Sequence, residues 1–255
     1  MTHPAPDTAL LLSPSELEAR LRKVGHDKYH HRHPFHLLMH EGKLTQGQLQ
    51  AWALNRYFYQ AMIPIKDAII ISRSTDPEFR RIWRKRLVDH DGEVGAGQKP
   101  GGIEKWLMLA EATGLKREQV ISGQGLLPAV KFSVQAYAHW VSERTFLEAV
   151  ASSLTEMFSA QLITLRISKL RELYPWLQGG LKYFEDRLTQ APEDAAMALG
   201  YITAHARTRA EQELAIGALS MKCDILWAQL DAIYYSYVSP GFVPPGAFEV
   251  QPGKA

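Results

Sequence analysis

The amino-acid sequence predicts an all-α protein, folded as a compact bundle of many helices, and three observations lead to this prediction. Helix-capping patterns recur along the chain, beginning with Ser13-Pro14-Ser15-Glu16, which has a proline at the first helical position. Apolar residues repeat with the 3.6-residue period of a helix. The alternation of apolar and polar residues that marks a half-buried strand is nowhere sustained.

Ten helices follow from these signals. Gly42 and Gly114 follow periodic segments at positions suited to a helix C-cap. Further helix starts are marked by Thr45 with Gln48, Asp76 with Pro77, Thr145 with Glu148, and Thr208 with Glu211. The predicted helices span residues 14–25, 34–41, 46–72, 77–90, 102–113, 128–142, 145–172, 180–189, 192–206 and 209–237.

Two segments are predicted to be non-helical. Residues 91–102 (DGEVGAGQKPGG) form a glycine-rich loop directly after a helix. Residues 239–255 are rich in proline and glycine and are typical of a tail or linker. The sequence contains no internal repeat, and the helices follow one another in a single run. Residues 1–238 are therefore expected to form a single helical domain, followed by this tail.

Composition excludes several classes of protein. The 255 residues include 29 Lys and Arg against 27 Asp and Glu, a net charge of +2 that argues against nucleic-acid binding. The single cysteine, Cys223, excludes a disulfide framework and a thiolate metal cluster. The N-terminus lacks a basic, apolar leader, and no apolar run approaches the roughly 18 residues needed to cross a bilayer. A cytoplasmic location without membrane association is therefore expected.

Polar side chains interrupt the otherwise apolar helix predicted over residues 46–72. Arg56, Tyr59, Gln60 and Lys66 fall within about 120° of one another at about 100° per residue. Each cation alone could extend to solvent from a helix edge. Two cations beside two hydrogen-bonding groups on a buried helix instead indicate a ligand site, because an unpaired buried charge is costly.

The helix over residues 77–90 repeats this pattern, because Arg86 and His90 lie one turn apart on its apolar face. His90 is followed by the glycine-rich loop and flanked by two aspartates. A helix C-terminus and neighbouring carboxylates favour imidazolium, whereas a nearby arginine opposes it. His90 is therefore predicted to titrate near neutrality, although a purely structural role for it stays open.

Three later helices add polar groups to apolar surroundings. One stripe of the predicted 145–172 helix carries mainly small hydroxyl groups, which is more typical of a pocket wall than of a wet surface. Tyr183 and Arg187 form another pair one turn apart, and Lys222 lies on an apolar face where an ammonium group needs an anion. The members of the stripe are Ser152, Thr155, Glu156, Ser159, Ile163 and Arg166. Together these cations predict a cavity for a small polycarboxylate or phosphate ligand.

Six histidines fall within fifteen residues, between His26 and His40. The pairs His26/His30 and His36/His40 have a spacing that could chelate a metal ion from a helix. A Glu-x-x-His sequence, the signature of di-metal carboxylate bundles, is missing, and Pro34 divides the cluster. We expect Tyr29 and His30 to face the cavity and the other histidines to be structural or exposed.

Six segments, in order along the chain, resemble the pyrroloquinoline-quinone synthase (PqqC) family. They are YHHRHPFHLLMHEGKL (29–44), WALNRYFYQAMIPIKDA (52–68), RRIWRKRLVDHDGE (80–93), GGIEKWL (101–107), SSLTEMF (152–158) and KCDILWAQLDA (222–232). The resemblance covers roughly residues 13–240. It implies a haem-oxygenase-like, TenA-like helical bundle that forms a homodimer.

The resemblance also implies an activity. Members of the family carry out the last step of pyrroloquinoline quinone (PQQ) biosynthesis, in which molecular oxygen drives ring closure and eight-electron oxidation of a tricarboxylic precursor, with release of hydrogen peroxide. Neither a metal nor an organic cofactor takes part, and O2 is the co-substrate. The expected small-molecule ligands are thus the polycarboxylate precursor and PQQ.

The family's site residues can be placed on matching positions of this sequence. By resemblance, His90 is the catalytic base, and Tyr183 with Arg187 stabilises reduced oxygen. Tyr59 and Tyr137 are expected to be further pocket residues. The implied substrate contacts are Tyr29, His30, Arg56, Gln60, Lys66, Arg86, Thr155, Glu156, Arg166 and Lys222.

One position departs from the family pattern. A histidine often follows the glutamate of the LTE sequence by seven residues, and here that position is Ile163. Two alternatives therefore stay open beside the cofactorless oxidase: a metal-dependent oxygenase of the same fold, and a carrier that binds PQQ without catalysis. The proline- and glycine-rich tail also resembles a linker to a small partner domain of the pathway.

Overall fold

The structure of the protein is a computed structural model that describes residues 10–95 and 99–250. Within these residues the fold is all-α, as predicted, and the one β-type pairing is an isolated bridge between Gly92 and Pro100. The α-helices are α1 (Pro14–Lys28), α2 (Pro34–His40), α3 (Gln46–Arg73), α4 (Pro77–Asp91), α5 (Gly102–Ala112), α6 (Arg117–Ser122), α7 (Pro128–Glu143), α8 (Phe146–Ala151), α9 (Ser159–Leu173), α10 (Lys182–His205) and α11 (Arg209–Tyr237).

The predicted capping motifs start the helices where the sequence places them. Ser13, Thr45, Thr145 and Thr208 each accept a hydrogen bond from the backbone N–H three residues later and form a full capping box. Asp76 caps α4 by accepting from the N–H of Glu78, two residues later. These local signals explain why most helix starts could be predicted from the sequence.

The prediction of one continuous helix over residues 145–172 is wrong. The chain tightens into a 3-10 helix at Ser152–Phe158, between α8 and α9. Serine and threonine hydroxyls compete with helical hydrogen bonding, and the Ser152 hydroxyl donates to the carbonyl of Ala149. The Phe158 ring also packs flat on α1 at Gly25, where a Cβ atom would lie 2.2 Å from it.

The predicted separation of residues 180–189 from residues 192–206 is also wrong. Helix α10 continues through Pro192, because buried side chains on both sides, including Ala191 and Asp194, hold its face against the bundle. Helix α6 and two further 3-10 turns, His30–Arg32 and Pro175–Gly180, were not predicted. Each of these elements has six residues or fewer, too few for a helical repeat of apolar residues to be recognised in the sequence.

Helix α3 runs through the centre of the bundle and packs against α4, α5 and α7. Its Trp52 ring contacts the rings of Trp106 on α5 and Phe184 on α10. Helix α11 covers the other side of the bundle, against α1, α7 and α8. This layered packing surrounds the central part of α3, so Gln60, Lys66 and Asp67 lie inside the protein.

The glycine-rich segment folds back on the end of α4. A Cβ atom at Gly101 would lie 2.4 Å from the carbonyl oxygen of His90, so only glycine permits this approach. Residues 96–98 of the predicted loop lie outside the described residues. Across residues 10–95 and 99–250, none of the helices is long and apolar enough to cross a membrane.

The described part of the predicted tail packs against the bundle. The N–H of Phe248 donates to the carbonyl of Gly125, at 2.8 Å, and the Val250 side chain rests on Gly47 of α3. Residues 251–255 lie outside the described residues. The domain boundary at residue 238 stays a prediction.

Candidate active site

A cavity opens between the centre of α3, the 3-10 helix and helices α9, α10 and α11. Its free volume is about 70 Å³, which is below the roughly 300–1,000 Å³ of most small-molecule sites, so side chains of the wall must move to admit a larger ligand. Its wall consists of Tyr29, His30, Arg56, Tyr59, Gln60, Ile63, Trp106, Thr155, Glu156, Ser159, Leu162, Ile163, Arg166, Tyr183, Phe184, Arg187 and Leu226.

Two cations of this wall have no carboxylate partner among the described residues. Arg56 stacks over the Tyr59 ring at 4.0 Å, and its Nη1 reaches Gln229 at 3.4 Å. Arg166 is 7% exposed, and its Nε and Nη2 have no hydrogen-bond partner in that part of the chain. Burial lowers the pKa of Arg166 to about 10. An anionic ligand would satisfy both guanidinium groups.

Other cations near the cavity belong to a series of side chains that alternate between positive and negative charge. Lys66 Nζ lies 2.5 Å from Asp67, and Arg86 lies 3.3 Å from the same carboxylate. The carboxylate of Asp194 lies 2.9 Å from Arg86 and 3.1 Å from Arg187. Arg187 also lies 2.8 Å from Glu156, which is the last member of the series and belongs to the cavity wall. Three positive and three negative groups thus compensate one another inside the protein.

The electrostatic environment of Glu156 keeps it ionised. Burial alone would raise its pKa, but Arg187 and Arg86 outweigh this effect and lower the pKa to about 2. Asp67 is likewise held at a pKa of about 2, because Arg86 and Lys66 offset its complete burial. Glu156 and Asp67 are therefore both ionised at neutral pH.

Lys222 lies behind the cavity and not in its wall. Its Nζ stacks over the rings of Tyr137 and Tyr59, at 3.4 and 4.4 Å, and it has no hydrogen-bond partner among the described residues. Tyr137 is fixed there by a 2.9 Å hydrogen bond with the Ser152 hydroxyl. Burial, with Lys66 and Arg56 nearby, lowers the Lys222 pKa well below its usual value. Tyr59 separates Lys222 from the cavity.

His90 is buried at the end of α4, and Gly102 packs between it and Tyr183. Its Nδ1 donates to the carbonyl of Arg86 at 2.9 Å, so the neutral imidazole has its lone pair on Nε2. Burial and the nearby Arg187 lower its pKa to about 4. The prediction that His90 titrates near neutrality is therefore wrong. Burial lowers the pKa of His90 by more than the helix C-terminus and the neighbouring carboxylates raise it.

Tyr183 and Gln60 are joined directly, with the Tyr183 hydroxyl donating to the Gln60 side-chain oxygen at 2.9 Å. The Tyr183 ring meets the edge of Trp106 at 4.9 Å, which fixes its orientation. Ile163, at the position where the family often has histidine, lies in the same cavity wall. An aliphatic side chain there can exclude water but cannot exchange a proton.

The histidine-rich segment divides into different environments. The Nδ1 atoms of His30 and His36 lie 3.2 Å apart inside the protein, and His36 stacks on His40. His33 caps α2 through the N–H of Phe35, a structural role. Among residues 10–95 and 99–250, no three His, Cys, Asp or Glu side chains are grouped so that they could hold a metal ion.

The structure thus separates the predicted site residues into two groups. The cavity wall contains ten of them, namely Tyr29, His30, Arg56, Tyr59, Gln60, Thr155, Glu156, Arg166, Tyr183 and Arg187. Lys66, Arg86, His90, Tyr137 and Lys222 lie outside this wall, in a buried layer behind it. For Lys66 and Arg86 the physical reason is that the carboxylates of Asp67 and Asp194 hold them there.

Sequence reasoning missed those two aspartates. Asp67 follows Lys66 directly, and it also accepts a 2.9 Å hydrogen bond from the Trp83 indole. Asp194 follows Pro192 in a helix whose continuity was not predicted. Asp67 could have been predicted as an ion-pair partner, because it is an acidic residue next to a cation that was expected to be buried. Asp194 pairs with Arg187 seven residues earlier in α10, a spacing hidden by the predicted helix break, and its pairing with Arg86 is tertiary.

Comparisons with known proteins place the chain among enzymes of one pathway. The model of the TENA/THI-4/PQQC family matches residues 18–232. A pyrroloquinoline-quinone synthase from Acidiphilium cryptum is 58% identical over 240 residues, which cover 94% of this chain and 96% of that protein. The bifunctional coenzyme PQQ synthesis protein C/D of Methylorubrum extorquens is 54% identical, over 98% of this chain and 67% of that longer protein.

A solved structure shows the same fold without close sequence similarity. It is a domain of unknown function with a heme oxygenase-like fold from Shewanella denitrificans, with a TM-score of 0.73 at 14% identity. The match covers 94% of this chain and all of that domain. The bundle is therefore heme oxygenase-like, as the resemblance implied.

Proposed function

Because this chain belongs to the TENA/THI-4/PQQC family, we propose that it is the enzyme that forms PQQ in the last step of its biosynthesis. The substrate is a tricarboxylic precursor, and the reaction closes a ring and removes eight electrons, with O2 as acceptor. The observation that carries this proposal is the pair of guanidinium groups, Arg56 and Arg166, which line one cavity and have no carboxylate partner among the described residues. Guanidinium groups bind carboxylates with two parallel hydrogen bonds.

As the resemblance implies, this proposal gives proton removal to His90, and it requires the precursor to extend past the cavity wall to reach the layer in which His90 is buried. With Nδ1 bonded to a backbone carbonyl and the pKa lowered to about 4, the imidazole is neutral at pH 7 and can accept a proton at Nε2. The Arg187 guanidinium nearby disfavours the protonated form. An accepted proton is therefore passed on readily, as repeated oxidative steps require.

Oxygen reduction is assigned to the region of Tyr183 and Arg187. When O2 takes up two electrons and two protons it becomes hydrogen peroxide, and negative charge develops on oxygen before the protons arrive. A fixed guanidinium group and a phenol hydroxyl stabilise such charge without reorganising. Ile163 supplies no proton to this region, so the proposal gives proton delivery to Tyr183 and His90 instead.

We further propose that neither a metal nor an organic cofactor takes part. The test is to treat the protein with a chelator, verify by elemental analysis that metal ions have been removed, and add the precursor in air. Oxygen uptake, peroxide release and the absorbance of PQQ are expected to appear together. Activity that disappears with the chelator and returns with iron would instead support a metal-dependent oxygenase. Tight PQQ binding with no quinone absorbance in a single turnover would support a carrier.

Assembly and partners extend the same proposal. The resemblance implies a homodimer, which sedimentation of the purified protein can test. The C/D protein of Methylorubrum extorquens, whose length this chain covers to 67%, supports a small partner domain of the same pathway. The cytoplasmic location stays a prediction.

A further inference from the structure

We propose that Asp194 is a positioning residue, which holds the Arg187 guanidinium in place for the oxygen-reducing half of the reaction. This inference rests on the proposed function. Asp194 belongs to α10, seven residues or about two helical turns beyond Arg187, and it is 2% exposed. It lies behind the cavity wall and does not contact the cavity.

The Asp194 carboxylate fixes Arg187 from behind. Its Oδ2 atom accepts hydrogen bonds from both Nη1 and Nη2 of Arg187, each at 3.1 Å. The same oxygen lies 2.9 Å from Nη1 of Arg86, which in turn is anchored to Asp67. Asp194 is thus held by a second buried cation, so its position, and through it that of Arg187, is set by α3 and α4 as well as by α10.

Arg187 therefore differs from the other arginines of the wall. It lies between two carboxylates, Asp194 behind and Glu156 in front at 2.8 Å. Arg56 and Arg166 have no such partner among the described residues. We infer a division of labour, in which Arg56 and Arg166 bind the carboxylates of the ligand and the compensated Arg187 is reserved for charge that develops on oxygen.

The consequence for the reaction follows from the geometry. A guanidinium group stabilises developing charge best when its position is fixed before the reaction. Without Asp194, Glu156 is the one carboxylate among the described residues that still pairs with Arg187, and it lines the cavity and is partly exposed. Arg187 would then follow Glu156 towards the ligand. Oxygen reduction should suffer, while the binding of ligand carboxylates to Arg56 and Arg166 should not.

The test compares Asp194→Asn with the wild-type enzyme. PQQ affinity is measured by fluorescence titration, and precursor oxidation is followed over a range of dissolved oxygen concentrations. We expect kcat/KM for O2 to fall by about 10- to 100-fold, comparable with the loss when a residue that orients a functional ligand is removed. The Kd for PQQ should change by less than about threefold. The matched control is Glu193→Gln, the exposed neighbouring residue on α10, which pairs with Lys85; neither residue lines the cavity. It should behave as the wild type.

A conservative variant separates positioning from folding. Asp194→Glu keeps the charge but moves the carboxylate by one methylene, so kcat/KM for O2 should lie between the wild-type and Asp194→Asn values. Circular dichroism and the melting temperature report on the fold, because loss of one member of a buried ion pair destabilises a protein. If Asp194→Asn does not fold, Asp194→Glu alone decides. A fall of kcat/KM for O2 with unchanged PQQ affinity supports the inference, and a wild-type value overturns it.

Failure of this inference can be told apart from failure of the proposed function. A wild-type enzyme that neither consumes oxygen nor forms PQQ with the precursor refutes the proposed function. An active wild type whose oxygen dependence is unchanged by Asp194→Asn refutes the role of Asp194 alone. The same holds if the substitution weakens PQQ binding and leaves the oxygen dependence as it was.

Discussion

Individual side chains in the cavity wall carry most of the recognition that we propose. A buried guanidinium group without a carboxylate costs free energy, which the folded protein tolerates where a ligand supplies the missing charge. Arg166 is in this situation, because its Nε and Nη2 have no partner among the residues that the structure describes. Its contribution should therefore appear in ligand affinity and not in stability.

Arg166→Gln tests that expectation. A hydrogen bond to a charged group contributes about 1.5–3 kcal/mol, so the affinity for PQQ should fall by about 10- to 100-fold. The melting temperature should not fall, because the substitution removes an unpaired buried charge. Arg171→Gln, an exposed arginine on the same helix that pairs with Glu185, is the matched control. Equal affinity losses in both variants, or none in either, would contradict the assignment.

His90→Asn tests the proposed base. Asparagine keeps an N–H group that can donate to the Arg86 carbonyl but has no lone pair in place of Nε2. Turnover should fall by about 10²- to 10⁴-fold, the usual contribution of general base catalysis, while PQQ still binds. His205→Asn, at an exposed histidine on α10, should leave turnover unchanged. Undiminished turnover in His90→Asn would remove this residue from the mechanism.

The pH dependence of the wild-type enzyme provides a separate check on His90. A base must be unprotonated to act, and burial with Arg187 nearby lowers its pKa to about 4. Turnover should therefore stay nearly constant as the pH falls from 8 to about 5 and decline only below that. A decline centred near 6.5, the usual value for histidine, would show that this imidazole is not the group that limits turnover.

Among the elements, the 3-10 helix at Ser152–Phe158 has the most direct effect on the site. It interrupts what would otherwise be a continuous helix, and it places Thr155 and Glu156 in the cavity wall. Its last residue, Phe158, packs on Gly25 of α1 and meets the Tyr29 ring at 5.5 Å. The geometry of the wall thus depends on a contact between two elements that are far apart in sequence.

Gly25→Ala tests this contact. The new methyl group would overlap the Phe158 ring, and such overpacking typically costs about 1–3 kcal/mol of the free energy of unfolding. The double variant Gly25→Ala with Phe158→Ala should be less destabilised than the two single effects predict by addition. Gly200→Ala, on α10 with open space around it, is the control and should be neutral or stabilising. Additive losses in the double variant would show that the two residues do not interact.

At the scale of the whole molecule, buried neutral histidines should make the fold sensitive to acid. Burial lowers the pKa of His40 and His90 to about 4, and it lowers the pKa of His30 and His36 well below the usual value. Between about pH 6.5 and 4 the unfolded chain therefore binds more protons than the native protein. The stability that these groups contribute is complete above the unfolded pKa and is lost as the pH falls through the native values.

The urea midpoint should accordingly fall between pH 7.5 and 5.0. His36→Gln should reduce this dependence, because the variant has one buried histidine fewer to protonate. His205→Gln, at an exposed position, should keep the wild-type slope. A midpoint that is constant or rises on acidification would contradict this description of the interior.

The fold could be predicted from sequence wherever its signals are local. Both ends of the helix that starts after Thr208 were predicted correctly, because its capping box and its apolar repeat involve residues that are close together in the sequence. The 3-10 helix was not, because it depends on the fit of Phe158 against Gly25. Asp194 was not predicted because the expected helix break before Pro192 hid its spacing from Arg187, and its other partner, Arg86, belongs to another helix. The low pKa of His90 likewise depends on burial, which spacing alone does not give.

The cavity itself was predicted because cations on apolar helix faces are unusual, and several helices carry them. What the sequence could not show is which cations are already neutralised inside the protein. Arg86 and Lys66 look equivalent to Arg56 along the chain, but carboxylates hold them behind the cavity wall. That distinction comes only from tertiary contacts.

The central claim is that this cavity binds a polycarboxylate through two guanidinium groups that have no carboxylate partner among residues 10–95 and 99–250. A crystal structure of the protein with PQQ tests it most directly. We expect carboxylate groups of PQQ within hydrogen-bonding distance of Arg56 and Arg166, and Arg187 still paired with Asp194. PQQ bound elsewhere on the protein, or in the cavity with its carboxylates directed away from both arginines, would contradict the account.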